Sequence, residues 1–380
     1  MVAGEVSGDL LAGLLLDGVR GRWPAATAAG IGGPRMQARG FEAWWPNERL
    51  SVFGYVEVLR HYRGLLKLRN QLRDRLLGAD RPDVFVGVDA PDFNLGLEEA
   101  LRAGGIPTVH FVSPSFWAWR PERVRKLQAS CDHVLCVFPF EPDLLAAHGV
   151  PASYVGHPLA SVIPLDPDRA AARAALGLPQ DATVVAILPG SRASEIQQLA
   201  ALFFEAARRV REALPGVRFA VPAVPALRQR IAQALAASGI ADATLVVEGR
   251  SHEVLAACDA TLIASGTATL EAALFKRPMV VSYRVNWLTW KIMAPKQLQP
   301  WLSLPNILSG EFVVPELMQD RARPQALADA VLAWLDPSEA ARARVAALQR
   351  RFAGLHAQLR RDTPALAAEA LARVIHGADR

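Results

Sequence analysis

Short, almost wholly apolar runs recur along the chain, and stretches with helical spacing separate them. Five such runs lie in the first half and five in the second, at residues 27–33, 83–89, 108–113, 133–138 and 152–156, then 183–188, 217–222, 244–248, 260–265 and 279–283. Because a strand exposed on one face alternates polar and apolar residues, continuous runs indicate parallel sheets that helices cover on both faces. Each half is therefore predicted to be a doubly wound α/β domain.

The predicted domain boundary is residues 156–168, where three prolines interrupt regular structure and no periodic pattern continues across the segment. A chain of 380 residues is long enough for two domains. We assign residues 1–160 to the first domain and residues 161–335 to the second. Residues 336–380 are predicted to be a helical tail, which either packs back on the first domain or is exchanged in a dimer.

Composition excludes several classes of protein. Hydrophobic residues make up 51% of the chain and charged residues 21%, as in ordinary globular proteins. The N-terminal segment has no basic region, so a signal peptide is not expected, and no apolar run approaches the roughly 18–20 residues that span a bilayer. The three cysteines lack CxxC spacing, which predicts neither a disulfide framework nor a zinc site and fits a reducing compartment.

The basic balance of the chain is open to several interpretations. A net charge of +5 and a pI of about 9.4 favour nucleic acid, an anionic membrane or phosphorylated ligands as partners. An arginine-rich composition is equally expected of a high-GC genome. Charge alone therefore does not choose a partner.

The stretch LPGSRASEI, residues 188–196, joins a predicted strand to a predicted helix. Gly190 permits a tight turn and close approach to a ligand. Ser191 can cap the helix, and Arg192 adds a planar group that fits a phosphate. Because free N–H groups at a helix N-terminus favour an anion, the motif predicts a phosphate site. A plain capped turn with a surface arginine is the alternative.

A second turn of small residues occurs in ASGTATLEAALF, residues 264–275. Ser265, Gly266 and Thr267 again offer backbone N–H groups to an anion. Glu271, about one helical turn further on, could accept hydrogen bonds from the two hydroxyls of a ribose. The alternative is a capped helix with a solvated glutamate. Neither turn is a Walker loop or a GxGxxG fingerprint, so ATP hydrolysis and nicotinamide chemistry are not predicted.

Two motifs of the first domain carry acidic residues near strand ends. In VGVDAPDFN, residues 86–94, Asp89 follows the apolar run directly and is predicted to act as a general base on a hydroxyl, with a structural role as the alternative. In GEVSGD, residues 4–9, the polar side chains could contact a ligand or cap the helix. Because the strand stub before this motif is short, we expect residues upstream of Met1 to be missing.

Two amphipathic segments allow two interpretations each. Residues 52–77 place apolar side chains at helical spacing among arginines, which suits either an anionic membrane surface or packing on the core. Residues 286–301 mix tryptophans with lysines, which suits an interface or an apolar ligand. The histidines are scattered and lack metal-ligand spacing, so no metal site is predicted.

Seven short motifs together resemble the lipid-A-disaccharide synthase family and occur in that family's order. They extend from residue 2 to about residue 320, and they are VAGEVSGD, GPRMQARG, VGVDAPDFN, VSPSFWAWR, LPGSR, ASGTATLE and SLPN. Each motif alone is weak, whereas the ordered combination is specific. The C-terminal tail matches the family in its helical pattern, but it contains no family motif.

The resemblance implies a GT-B fold, in which two Rossmann-like domains face a cleft, with a helical C-terminal tail. It implies inverting transfer of 2,3-diacylglucosamine from UDP to the 6-hydroxyl of 2,3-diacylglucosamine 1-phosphate. The products are the β-1,6 lipid A disaccharide 1-phosphate and UDP, and no cofactor or metal is implied. By this resemblance residues 1–160 take the acceptor and residues 161–335 bind the UDP-sugar.

The resemblance also implies partners and site residues. It implies a homodimer with exchanged C-terminal segments, cytoplasmic and peripherally associated with the anionic inner membrane, and no nucleic acid. Asp89 is the expected base. Arg192 is a candidate for catalysis as well as for binding, and the sequence leaves open which of the two roles is the main one. Possible contacts to the acceptor or donor sugar are Glu5, Ser7, Asp9 and Asn94. The implied UDP-binding residues are Gly190, Ser191, Arg192, Ser265, Gly266, Thr267, Glu271 and Asn306.

Two other functions fit part of the sequence. Another GT-B protein, such as a UDP-sugar epimerase or the muramyl transferase, would share the fold and a UDP site. The tryptophan-rich motif VSPSFWAWR and the apolar residues of 52–77 favour a lipid acceptor instead. A non-catalytic module that binds nucleic acid or membrane would explain the pI and the arginine-rich tail alone.

Overall fold

A computed structural model of the chain describes residues 1–4, 6–50, 55–287, 290–291 and 294–378. The predicted contact residue Glu5 and residues 52–54 of the predicted amphipathic segment lie outside this part of the chain. The chain divides into two compact units, Met1–Pro158 with Leu359–Arg380 and Leu159–Gln358. Among the described helices, none is both long enough and apolar enough to cross a membrane.

The first unit is built on a parallel sheet of seven strands in the order β3-β2-β1-β4-β5-β6-β7. The winding direction reverses between β1 and β4, and ligands of doubly wound sheets bind at such a point. The strands are β1 (Val2–Ala3), β2 (Ala29–Gly32), β3 (Glu42–Pro46), β4 (Phe85–Val88), β5 (Thr108–Phe111), β6 (His133–Cys136) and β7 (Ala152–Tyr154).

Helices connect the strands of the first unit. They are α1 (Val6–Arg22), α2 (Pro34–Gln37), α3 (Tyr55–Leu77), α4 (Pro91–Ala103), α5 (Phe116–Trp119), α6 (Arg123–Ser130) and α7 (Glu141–Ala146), and α8 (Pro158–Val162) begins where this unit ends. Every residue of β4 and β5 is buried, because helices cover both faces of the sheet.

The second unit has a parallel sheet of six strands in the order β10-β9-β8-β11-β12-β13, which reverses its winding between β8 and β11. The strands are β8 (Val184–Leu188), β9 (Arg218–Ala223), β10 (Thr244–Glu248), β11 (Ala260–Ala264), β12 (Met279–Tyr283) and β13 (Glu316–Met318). The helices are α9 (Arg169–Leu176), α10 (Ala193–Ala213), α11 (Arg228–Ala236), α12 (Ser251–Ala257), α13 (Thr267–Leu274), α14 (Leu304–Ser309), α15 (Pro324–Leu335) and α16 (Glu339–Leu359).

The two sheets confirm the predicted fold class of two Rossmann-like α/β domains. The ten predicted strands are all present, with bounds that shift by one or two residues. Two strands were not predicted, β3 and β13. Both are edge strands whose sequences, EAWWP and ELM, begin with a glutamate and hold at most three consecutive apolar residues, so neither stands out as a continuous apolar run.

The final helix, α17 (Thr363–Ala378), packs on α1 within the first unit. The hydroxyl of Thr363 donates to the carbonyl of Val155 at 2.9 Å, and Leu371 is buried. A Cβ added at Gly18 would lie 1.9 Å from the carbonyl oxygen of Pro364. The absence of a side chain at Gly18 therefore allows this close approach. The predicted domain bounds and the exchange of the tail between subunits stay predictions.

We predict that Gly18→Ala weakens the docking of α17 on α1. The new methyl group would overlap backbone, and such overpacking costs about 1–3 kcal/mol. Gly21→Ala is the matched control, because a Cβ at Gly21 meets nothing within 4 Å and alanine favours the helix by up to about 1 kcal/mol. Urea unfolding of both variants measures the effect. Equal stability of the two variants would contradict the prediction.

Candidate active site

The two predicted anion-binding turns follow neighbouring strands. Leu188, which ends β8, is the register partner of Ile263 in β11. The first turn, residues 189–192, and the second turn, residues 265–267, therefore leave the same carboxyl edge of the sheet. They lie where the winding direction reverses, which is the usual ligand-binding position of such a sheet.

The backbone N–H groups of the first turn already have a partner inside the protein. The N–H groups of Ser191 and Arg192 donate to Oε2 of Glu195 at 2.8 and 3.2 Å. Oε1 of the same carboxylate lies 3.4 Å from Nη1 of Arg192 and 3.4 Å from the hydroxyl of Tyr283. The site predicted for a phosphate thus holds a carboxylate of the chain itself.

Gly190 is required by the position of that carboxylate. Its φ is +121°, and an added Cβ would lie 2.5 Å from Oε2 and from Cβ of Glu195. The predicted hydroxyl cap from Ser191 is not what starts the helix: Arg192 is the N-cap residue, and Ser191 is exposed. Sequence reasoning missed Glu195, although a glutamate three residues after an N-cap is a known signal of a capping box.

The second turn has free space around its glycine, whereas the first turn is filled by the carboxylate of Glu195. Gly266 has a φ of +154° and is the N-cap of α13, and no side chain of the described residues caps it. An added Cβ at Gly266 would meet nothing within 4 Å, and Thr267 is exposed. Ser265 is held at the end of β11. Its N–H donates to the backbone carbonyl of Ser282 at 3.1 Å, and its hydroxyl lies 3.4 Å from the carbonyl of Leu302.

Glu271 lies further along α13 with a partner that was not predicted. Its Oε1 is 3.6 Å from Nε2 of His252, and its side chain is 20% exposed. The ring of His252 in turn lies 5.4 Å from that of Phe275. Among the described residues, no group of three or more His, Cys, Asp or Glu side chains is placed to hold a metal ion.

Asn306, which is predicted to contact UDP, forms hydrogen bonds within the protein, and the predicted contact stays a prediction. Its side chain is buried, and Oδ1 accepts from the N–H groups of Val313 and Val314 at 2.8 and 2.9 Å. Nδ2 donates to the carbonyl of Val314 and to Glu316 at 2.9 and 2.8 Å. Because these four bonds use the whole hydrogen-bonding capacity of an amide, the geometry gives this side chain a supporting role.

Glu316 extends that support to the SLPN motif. One carboxylate oxygen accepts from the N–H and the hydroxyl of Ser303 at 2.9 and 2.7 Å, and the other accepts from the N–H of Leu302 at 2.9 Å. Since Leu302 also contacts Ser265, this network fixes the segment beside the second turn. Sequence reasoning missed Glu316 because it lies in the short edge strand β13.

In the first unit, Asp89 lies in a strained turn at the end of β4. Asp89 and Ala90 have φ values of +52° and +43°, which cost energy for residues with a side chain. The N–H of Asp89 donates to the carbonyl of Phe111 at 2.8 Å, and Asn94 donates to the carbonyl of Asp89 at 2.8 Å. The carboxylate of Asp89 is half-buried at the carboxyl edge of the sheet.

Asn94 and Asp9, both predicted as possible sugar contacts, form hydrogen bonds with backbone groups. Asn94 is fully buried. The buried carboxylate of Asp9 accepts from the N–H groups of Gly33, Arg35 and Met36 at 3.0, 2.9 and 3.1 Å, which caps the start of α2. Both side chains therefore support backbone in this structure, and their predicted contacts with a sugar stay predictions.

The remaining predicted residues lie near the Asp89 turn or on the surface. Ala3 of β1 pairs with Val88 of β4, so the GEVSGD motif leaves the sheet beside Asp89. A Cβ at Gly4 would lie 3.3 Å from that of Ala90, and Ser7 is exposed in the first turn of α1.

A buried polar pair lies one helical turn beyond Asn94. Glu98 and His110 are both fully buried, with Oε1 of Glu98 2.8 Å from Nδ1 of His110. Burial raises the pKa of Glu98, and the histidine opposes that shift. A Cβ at Gly87 of β4 would lie 2.1 Å from Oε1 of Glu98, so glycine at this position lets α4 approach the strand.

The VSPSFWAWR motif is anchored by a carboxylate that sequence reasoning missed. Nε1 of Trp117 donates to Oε1 of Glu141 at 3.1 Å, and the N–H of Phe138 donates to Oε2 at 3.1 Å. The indole packs edge-on against Phe140 at 5.0 Å between ring centroids. Burial raises the pKa of Glu141 to about 7 despite these hydrogen bonds.

Solved structures similar to this chain share the GT-B arrangement of two Rossmann-like domains. A putative UDP-N-acetylglucosamine 2-epimerase from Listeria monocytogenes has a TM-score of 0.63 at 13% identity, covering 100% of this chain and 96% of that one. The glycotransferase of kitacinnamycin has a TM-score of 0.61 at 18% identity, with 98% of each chain covered. This chain is therefore a protein of the GT-B fold class.

Sequence comparison gives the particular family. The family model described as lipid-A-disaccharide synthetase matches residues 1–371. Relatives named lipid-A-disaccharide synthase are 64% identical in Albidiferax ferrireducens, over 99% of this chain and 97% of the relative, and 60% identical in Verminephrobacter eiseniae, over 99% and 96%. The chain belongs to the lipid-A-disaccharide synthetase family and is a glycosyltransferase of lipid A biosynthesis, which confirms the prediction from its motifs.

We predict that Glu141 makes the folded state less stable as pH rises. Its folded pKa of about 7 exceeds its ordinary value of 4.5, so the folded state binds the proton more tightly. The stability that this proton contributes is fully present below about pH 4.5 and is lost as pH rises through 7, a loss of about 3 kcal/mol. Urea unfolding between about pH 5 and pH 7.5 measures it.

Glu141→Gln should remove this part of the pH dependence. Glu99→Gln is the control, because Glu99 is exposed on α4 and should keep the wild-type slope. A wild-type slope in Glu141→Gln would contradict the prediction.

Proposed function

We propose that the protein transfers 2,3-diacylglucosamine from UDP to the 6-hydroxyl of 2,3-diacylglucosamine 1-phosphate, giving the β-1,6 disaccharide 1-phosphate and UDP. The observation that carries this proposal is the pair of strand–helix turns on β8 and β11, in a chain of this family. The UDP-sugar is assigned to the second unit and the acceptor to the first.

The second turn and Arg192 support the assignment of the diphosphate site. The side chain of Arg192 is 67% exposed, so its guanidinium can reach a ligand. The open N-terminus of α13 directs partial positive charge to the same edge of the sheet. These groups would stabilise the negative charge that develops on UDP as its bond to the sugar breaks.

Three further residues are assigned to the nucleotide. Ser191 and Thr267 are exposed next to the two helix N-termini and can donate hydroxyl hydrogen bonds to phosphate. Glu271 can accept hydrogen bonds from the ribose hydroxyls. A UDP-GlcNAc 2-epimerase from Neisseria meningitidis, similar in fold at a TM-score of 0.60 and 11% identity, was solved bound to UDP-GlcNAc, which supports a nucleotide-sugar ligand for this arrangement.

Asp89 is assigned as the base. Its carboxylate would accept the proton of the acceptor's 6-hydroxyl as that oxygen bonds to the anomeric carbon and the bond to UDP breaks. A single displacement from an α-linked donor gives the β product, by analogy with inverting glycosidases. The fixed turn that Asn94 holds supports this role, because a base must be positioned within hydrogen-bonding reach of its proton.

Membrane association and dimerisation belong to the same proposal. Trp287 is 66% exposed, Nζ of Lys291 lies 4.3 Å from its ring centroid, and Leu298 is 53% exposed. Such a mixture of aromatic, apolar and basic groups supports peripheral association with the cytoplasmic face of an anionic inner membrane. The docking of α17 on α1 supports a homodimer in which this helix is exchanged, since a second copy could supply the same contact.

We predict that Arg192→Ala and Asp89→Asn both lower turnover. Loss of a group that stabilises the departing charge should reduce kcat by about 10²–10³, and loss of the base by about 10²–10⁴. UDP release from both acylated substrates measures turnover, and mass spectrometry identifies the lipid product. Full turnover in both variants would contradict the assigned roles.

Matched controls and one alternative substrate complete the experiment. Asp92→Asn, three residues from Asp89, removes a carboxylate that is 89% exposed, and Arg228→Ala removes an arginine that is 59% exposed. Both should keep turnover within about twofold of wild type. Efficient use of UDP-GlcNAc without acyl chains would contradict the proposed lipid substrates.

A further inference from the structure

We propose that the carboxylate of Glu195 is a built-in competitor of the diphosphate. In the ligand-free enzyme it occupies the anion site of the first turn, it leaves that site when the UDP-sugar binds, and it returns as UDP departs. This inference rests on the proposed function, since it requires the diphosphate to bind at the first turn.

The contacts of Glu195 are those that a phosphate would make. One oxygen accepts from two successive backbone N–H groups, at Ser191 and Arg192, as a phosphate oxygen does at a helix N-terminus. The other oxygen faces the guanidinium of Arg192. The backbone N–H groups at which the motif predicts a phosphate, and the guanidinium that we assign to the diphosphate, therefore already face an anion of the chain.

Gly190 shows that the carboxylate lies inside the turn. A Cβ at this position would lie 2.5 Å from Oε2 of Glu195, so the backbone curves around the carboxylate. Two anionic groups cannot share so small a space, because their repulsion adds to the loss of hydrogen bonds. The diphosphate can reach both N–H groups only if the carboxylate moves away.

The side chain of Glu195 is 11% exposed, and the remaining hydrogen-bond contacts of its carboxylate are long. Its distances to Nη1 of Arg192 and to the hydroxyl of Tyr283 are both 3.4 Å, near the limit for a hydrogen bond. The carboxylate is therefore held mainly by the two N–H groups that the ligand needs. Its neighbours Arg192 and Ser194 are exposed, so a rotated side chain would reach solvent.

Displacement of this kind would weaken the binding of UDP and assist its release. A carboxylate tethered three residues from the turn is present at high effective concentration, and UDP has to compete with it. The acylated donor has further contacts with which to win that competition, whereas UDP alone lacks them. The expected consequence is faster turnover at the cost of weaker nucleotide binding.

The test is the affinity of the full-length protein for UDP, measured by isothermal titration calorimetry. Glu195→Gln keeps the length of the side chain and one acceptor oxygen but removes the charge. We expect the Kd for UDP to fall by about fivefold to tenfold, the change expected when a charged acceptor no longer competes. Inhibition of the reaction by UDP should strengthen by the same factor. Glu212→Gln, at an exposed glutamate of α10, is the matched control and should leave the Kd unchanged.

Unchanged or weaker binding of UDP by Glu195→Gln would overturn the proposal, because the carboxylate would then only support the turn. If that variant does not fold, the Kd for UDP of Glu195→Asp tests the proposal. It keeps the charge but is too short to reach both N–H groups, so tighter binding supports the competitor and equal or weaker binding overturns it.

Arg192→Ala separates this proposal from the proposed function. If it binds UDP as wild type does, the site assignment fails and the competitor fails with it. If Arg192→Ala loses affinity for UDP while Glu195→Gln gains none, the site assignment stands and only the proposal that Glu195 competes with the diphosphate fails.

Discussion

The parallel pairing of β8 with β11 decides where the functional groups of the second unit can lie. Each strand is buried on both faces, so the chain can present polar groups only at the strand ends. The winding direction reverses between these two strands, which brings two helix N-termini to one edge without any covering helix between their connections. The small residues at 190, 265 and 266 follow from this constraint, because the backbone has to turn sharply there.

Much of this arrangement could be predicted from the sequence, because it depends on local patterns. Continuous apolar runs predicted every central strand except β1, which was expected only as a short stub, and the motif order predicted the family. Gly190 predicted a tight turn and Ser265-Gly266-Thr267 a turn of small residues, and both glycines have a positive φ in the structure. The edge strands β3 and β13 could not be predicted this way, since EAWWP and ELM each begin with a glutamate and hold at most three consecutive apolar residues.

The partners of polar side chains were far less predictable than the turns themselves. Asp9 binds backbone more than twenty residues away, and Asn306 binds the backbone of Val313 and Val314, directly before the edge strand β13. A motif shows that a polar group lies near a site, but tertiary contacts decide whether that group faces a ligand or the protein. Several side chains that resemble ligand contacts in sequence therefore hold the loops from which other residues can act.

The membership of α17 in the first unit has a consequence for the synthesis of the protein. Residues 359–378 leave the ribosome only after the whole of Leu159–Gln358 has been made, which takes roughly ten to forty seconds at the usual rates of translation. Until then α1 lacks the helix that packs on it at Gly18, although every strand of the first sheet has already been made.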